Sequence, residues 1–203
     1  MDKSPVLLST AYLPPVGYFK KLLTGHSVFI EKHEHFIKQT YRNRCVILGA
    51  NGPIPLVIPV EKGRGTNKPV RDVRIYNHIR WQRNHWRTIF SAYNSSPFFK
   101  FFEEDFRPFY EKNWNFLFDL NMELLEMINN LLDIKPVIHF TVKYEHAAEG
   151  ITDLRNVFSP KIKSGGKFEP YTQVFSEKFG FIPNLSIIDL IFNKGPESQM
   201  VLE

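Results

Sequence analysis

One cysteine in 203 residues, Cys45, rules out an intramolecular disulfide and any site built from several thiolates. A reducing compartment is the matching expectation. No run of about 18 apolar residues occurs, and the opening MDKSPVLLSTAYLPP has no basic stretch followed by a sustained apolar one, so the reading is a soluble, cytoplasmic protein without membrane insertion. Both glycine-rich phosphate loops, G-x-x-x-x-G-K-[ST] and G-x-G-x-x-G, are missing, as is the G-x-S-x-G serine elbow. Those absences remove the usual support for P-loop, dinucleotide and serine-hydrolase chemistry, and no cofactor follows from the residues.

What is present is apolar, aromatic and unevenly charged. Hydrophobic residues make up 43% and the chain holds 19 phenylalanines, which predicts a packed core rather than disorder, and the length suits one domain over residues 1–203. The formal charge is +5, but residues 38–87 carry 11 Lys/Arg against 2 Asp/Glu, an excess of nine. That basic third is the expected anion-facing part, with a merely solvated surface as the plain alternative.

The apolar run Val6–Leu8, the helix-like stretch from Val16 to Leu23 after Pro14-Pro15, and a second strand over Ser27–Lys32 give a β-α-β opening. Arg44–Leu48 and Ile54–Val60, separated by Gly49-Ala50-Asn51-Gly52-Pro53, read as a hairpin, and Pro55 and Pro59 place its second strand at an edge. A polar loop over 62–69 and a further strand over Val70–Tyr76 follow. The next helix is expected from Asn77 or His78, with Ile79, Trp86, Ile89, Phe90 and Tyr93 as its core stripe. Arg80, Arg83 and Arg87 then share a second side, and Trp81 and His85 a third. Ser96-Pro97 reads as the start of a Phe-rich helix to Phe106. Asn115–Leu132 is the clearest helix, Val137–Thr141 is β-prone, residues 144–171 form a long loop containing Ser164-Gly165-Gly166-Lys167, and two helices over 172–179 and 186–192 end the chain. The predicted fold class is α/β: a mixed sheet opened by the β-α-β unit, with a β-hairpin and covering helices. An α+β arrangement is the alternative.

Four groups of residues could carry chemistry. The N-terminus of the first helix, near Lys20 and Lys21, offers free N–H groups to an anion, or is simple punctuation between strand and helix. Glu31, His33 and His35 alternate along one strand face and could chelate a metal, although the spacing demands none. Arg42-Asn43-Arg44 and the helix arginines would form an anion clamp if they converge, with His85 as acid or base; the alternative is ion pairing with the acidic carboxyl-terminal half. Cys45 lies in an apolar run, where a thiol is more often core than nucleophile.

Taken together, Ala11-Tyr12-Leu13-Pro14-Pro15-Val16-Gly17-Tyr18-Phe19, Tyr41-Arg42-Asn43-Arg44, Leu56-Val57-Ile58-Pro59-Val60, Trp81-Gln82-Arg83-Asn84-His85, Tyr93-Asn94-Ser95-Ser96-Pro97, Tyr171-Thr172-Gln173-Val174-Phe175 and residues 184–195 resemble the WbqC-like family. The resemblance implies a link to surface-polysaccharide (O-antigen) gene clusters and a transferase of the glycine or acyl type. It favours the clamp. On that reading a phosphate- or carboxylate-bearing substrate, an activated sugar or an aminoacyl donor, meets Tyr12, Arg42, Asn43, Arg44, Trp81, Arg83, Tyr93, Asn184, Asp189 and Asn193, with His85 as general base and no metal. A non-catalytic module for a nucleotide-sugar or a protein partner is the alternative. Nucleic acid ranks last, because no recognised nucleic-acid motif accompanies the basic segment.

Overall fold

A computed structural model describes residues 4–25, 27–61, 68–147, 149–161 and 167–203. Strand β1 (Val6–Ser9), helix α1 (Val16–Thr24) and strand β2 (Val28–Glu31) form the expected β-α-β unit, with β1 and β2 parallel and Val6 opposite Val28. The sheet continues through β5 (Ile138–Phe140) beside β2 and β6 (Thr152–Asp153) beside β1, all parallel, in the order β5-β2-β1-β6. The chain therefore builds outward from β1 through β2 to β5, then returns to the other side of β1. That reversal lies between β1 and β6.

Alternation decides which face is core. Val6, Leu8, Val28 and Ile30 point to one side and join the main hydrophobic cluster with Phe19 and Leu22 of α1 and with Leu117 and Leu124 of α4 (Leu117–Leu131). Each such side chain taken fully from water contributes about 1.5–3 kcal/mol. Leu7 and Phe29 point the other way and lie outside that cluster.

The hairpin is β3 (Arg44–Gly49) against β4 (Gly52–Val57), antiparallel, with a tighter turn than expected: only Ala50 and Asn51 lie between the strands. Gly52 has φ 109, which a residue with a Cβ rarely adopts. The predicted strand over Val70–Tyr76 is instead a 3₁₀ turn at Val70–Asp72 followed by single bridges, Val60 to Ile75 and Arg74 to Phe116, although Val73 and Ile75 still face inward. The predicted helical start at Asn77 or His78 moves to Trp81, giving α2 (Trp81–Tyr93). Arg80 is non-helical at ψ 53, and the Asn77 amide, which receives Trp81 Nε1–H and donates to the Trp114 carbonyl, pins the incoming chain.

Packing on Tyr12 and the hairpin selects which face of α2 is buried. Trp81, His85, Ile89, Ala92 and Tyr93 are buried, while Ile79 is 51% and Phe90 38% exposed. Of the stripe expected to be core, Ile89 and Tyr93 are buried, and the pair Trp81 and His85, expected on a third side, is core as well. Helix α3 (Phe99–Phe106) begins without a side-chain cap, because the Ser96 hydroxyl donates back to the Tyr93 carbonyl. The long loop contains the unforeseen strand β6; its Ser164-Gly165-Gly166 portion lies outside the described residues. Of the two expected closing helices, the first shrinks to α5 (Ser176–Phe179), the second is α6 (Ile187–Lys194), and after a 3₁₀ turn at Gly195–Glu197 a short α7 (Ser198–Leu202) packs on α1.

Candidate functional site

The most highly charged buried region is the carboxyl edge of the parallel sheet, where β1 ends in Ser9, β2 in Glu31 and β6 in Asp153. Arg155 Nη1 donates to Glu31 Oε2 at 3.2 Å, with side chains 4% and 1% exposed. On its other side Arg155 grips Asp153 through a two-pronged contact, Nε to Oδ1 at 3.0 Å and Nη2 to Oδ2 at 2.6 Å. Hydrogen bonding to Arg155 holds the Asp153 carboxyl below the usual carboxylate range, and the same bond raises the guanidinium. A second buried pair, Arg42 Nε to Glu34 Oε1 at 2.8 Å, lies next to it. Ser9 joins the two: its hydroxyl accepts from Arg42 Nη2 at 2.7 Å and reaches the Arg155 carbonyl at 3.0 Å.

These contacts place ion pairs at the reversal of strand order, the place where open parallel sheets hold ligands. Arg42 and Arg155 line a crevice of only about 10 Å³ with Ser9, Thr10, Tyr18, Tyr41 and Phe158. Arg42 Nη1 forms no hydrogen bond among the described residues. Nearby, Glu31 Oε1 accepts the His33 N–H at 2.7 Å and the Thr141 hydroxyl at 2.7 Å, and His33 Nε2 lies 3.1 Å from the Thr141 carbonyl. A carbonyl only accepts, so Nε2 carries a proton at this contact.

The residues singled out from sequence go to several places. Arg42 is part of this edge, but its partner is Glu34 rather than the helix arginines. Arg83 and Arg87 stay exposed on α2 and Arg80 is exposed just before it, none of them in an ion pair among the described residues. Asn43 donates to the Ile58 carbonyl, and Arg44 begins β3, its Nε buried without a partner among the described residues.

Tyr12, Trp81 and His85 come together in the core. His85 Nε2 lies 3.2 Å from the Val57 carbonyl and must donate, so Nδ1, 3.0 Å from the Tyr12 hydroxyl, accepts; Tyr110 then donates to the Tyr12 oxygen at 2.9 Å. Burial pushes the imidazole down to about 4, against the smaller opposing effect of the Val57 contact. His85 is thus a neutral core histidine with both nitrogens engaged, a poor position for the base expected on α2.

Tyr93 and Asp189 meet in a third cluster. The Asp189 carboxylate receives the hydroxyls of Tyr93 at 2.9 Å and Tyr171 at 2.8 Å and the Gln173 amide at 2.8 Å. Its carboxyl is raised because burial outweighs these bonds. Asn193 donates to the Asp189 carbonyl, and Asn184 Oδ1 accepts the Gly17 N–H at 2.8 Å. With Leu185 taking the Val16 N–H, the start of α1 is already occupied by the chain's own groups, which removes the anion site considered there. The metal arrangement also fails: Glu31 is committed to Arg155, His33 to Thr141, and His35 is exposed. Among the described residues no group of three or more His, Cys, Asp or Glu is placed to hold a metal. Cys45 is fully buried, and burial raises its thiol.

Glu34, Asp153, Arg155 and Thr141 were missed as members of one site. Two signals were available, the polar residues directly after an apolar strand and the rule that ligands gather at strand carboxyl ends. A two-residue strand at Thr152–Asp153 gives no period by which to place Arg155.

The family model for WbqC-like proteins matches residues 10–159. The chain belongs to the WbqC-like protein family. The matched span includes Glu31, Glu34, Arg42, Asp153 and Arg155 and leaves out Tyr171 and Asp189. The chain is 27% identical over 224 residues to Uncharacterized protein Rv1507c of Mycobacterium tuberculosis (strain ATCC 25618 / H37Rv), covering 97% of this chain and 96% of the relative. No solved structure matches this family member. No helix among its described residues is long and apolar enough to cross a membrane.

Proposed function

We propose that this WbqC-like chain is a transferase for an activated sugar or an aminoacyl or other acyl donor, serving surface-polysaccharide (O-antigen) assembly. The reading rests on one observation, the Asp153 fork on Arg155 beside the strand reversal. Asp153 is 34% exposed, whereas Arg155 is buried beneath it. A phosphate or carboxylate of the donor replaces Asp153 on the guanidinium, keeping the two-pronged geometry and the charge balance of the buried pair with Glu31. Arg42 Nη1, next in the crevice, supplies further N–H donors. His33, oriented through Nε2 by the Thr141 carbonyl, takes the proton of an amine or hydroxyl acceptor on Nδ1 as the acceptor atom bonds to the donor carbon and the donor's activating group leaves with the electron pair of the broken bond.

Calorimetric titration with inorganic phosphate, nucleotide-sugars and acyl donors tests the reading. Asp153→Asn, which frees the guanidinium, is expected to bind the anion more tightly, and Arg155→Lys, which loses the planar fork, less tightly. Identical binding by all three proteins would overturn it. The second reading, a binding module without turnover, is favoured by the closed crevice and the internally paired charges. Binding with no transfer to any amine or hydroxyl acceptor would select it.

A further inference from the structure

Parallel sheets are normally covered on both faces, yet among the described residues no helix lines the cleft on the face carrying Leu7 and Phe29. Every described residue lining that cleft, of about 360 Å³, comes from the sheet, from Pro5 before it, or from the segment after β5 between Thr141 and Ile151. Phe29 and the nearly covered Leu7 form the floor, and Val142 and Ile151 of the segment after β5 line its sides. Two contacts hold the covering segment over the sheet: Arg155 donates to the His146 carbonyl at 3.3 Å and lies 4.9 Å from the centre of the Tyr144 ring.

The polar groups of the cleft are unequal in sign. Its lining holds three carboxylates, Glu31, Glu145 and Glu149, against one ammonium, Lys143. Glu31 is matched by Arg155, and Glu145 by Lys143 at 2.9 Å. Glu149 has no ion-pair partner among the described residues. Among the described lining residues the one cation, Lys143, is paired with Glu145 in an exposed contact. The apolar body and the uncompensated carboxylate are complementary to a ligand of the opposite pattern.

From this geometry we infer that the cleft over the open sheet face binds a protonated amine with an apolar body, its ammonium at Glu149 and its hydrocarbon part on Leu7 and Phe29. In the transfer reaction this is the acceptor, lying next to Thr141, whose carbonyl orients His33. That role rests on the proposed transferase reading, whereas the binding itself does not.

Three probes of one shape separate the alternatives: phenethylamine, phenethyl alcohol and phenylacetate, followed by ligand-observed NMR titration on the full chain. The amine is expected to bind best, the alcohol more weakly and the carboxylate least. Glu149→Gln should weaken the amine about threefold, as for a solvent-exposed ion pair, and leave the alcohol unchanged. Raising salt should likewise weaken only the amine. Val142→Trp, at a position 84% exposed and so tolerant of substitution, should reduce binding of both by filling the cleft. Phenylacetate binding as tightly as the amine, no response to Glu149→Gln, or no binding by any probe at millimolar concentration would overturn the inference. Failure of donor binding at Arg155 with these results intact would instead overturn only the transferase reading.

Discussion

Arg155 and Glu31, 124 residues apart in sequence, meet as a buried ion pair at the carboxyl edge of the sheet, Nη1 to Oε2 at 3.2 Å. The bond joins the end of β2 to the chain just after β6, so the last parallel strand is held by charge as well as by its short ladder. Arg155→Met leaves the buried Glu31 carboxylate without its cation, with an expected loss of about 3–5 kcal/mol, whereas Glu31→Gln should cost less because Asp153 still pairs with Arg155. The double variant should be less destabilised than the sum of the two. Urea denaturation of the four proteins measures the coupling, and simple additivity would show that the pair does not act as a unit.

His85 predicts an acid dependence of stability. Its folded-state pKa of about 4 lies below the unfolded value, so between the two the unfolded chain binds more protons. The contribution is fully present above about pH 6.5, and about 3 kcal/mol of it is lost as pH falls toward 4. Asp189, whose carboxyl is raised, contributes in the opposite direction. Comparing wild type with His85→Gln isolates the histidine. The wild-type denaturation midpoint should fall more steeply over this window, and parallel curves would contradict the assigned neutral state.

Tyr93, Tyr171 and Gln173 all donate to Asp189, so the site requires an acceptor with no proton of its own. Asp189→Asn turns one acceptor into an NH₂ facing a donor, and a loss of about 1–3 kcal/mol is expected. Thermal unfolding checks this. Equal stability would mean that the cluster rearranges without cost.

Arg83 is the control for the clamp expected from sequence. It is exposed and forms no ion pair among the described residues, so Arg83→Ala should change stability by less than about 0.5 kcal/mol and leave anion binding unaltered. Weaker binding by this variant in the same calorimetric titration would restore α2 as part of the anion site.

The β-α-β opening, the hairpin and α4 were legible because each has a local cause: prolines at a helix entrance, glycines at a turn, or leucines at helical spacing. The face of α2 was not. Its sequence offers more than one apolar or aromatic stripe, and the choice follows from packing against Tyr12 and the hairpin, segments distant in the chain. Family membership was also readable, since its marks are ordered along the chain.

The sequence alone determined the β-α-β opening, the hairpin and the long helix α4, the excess of basic charge in residues 38–87 and the residues able to bear charge. Tertiary structure decided their partners. Arg42 finds Glu34, Arg155 finds Glu31, and Asp189 finds two tyrosines because strand order and helix rotation bring them within hydrogen-bond reach. Burial then sets what those groups can do. Periodicity records which residues share a face, but whether that face meets solvent, a carboxylate or a phenol depends on contacts between segments that lie far apart in the chain.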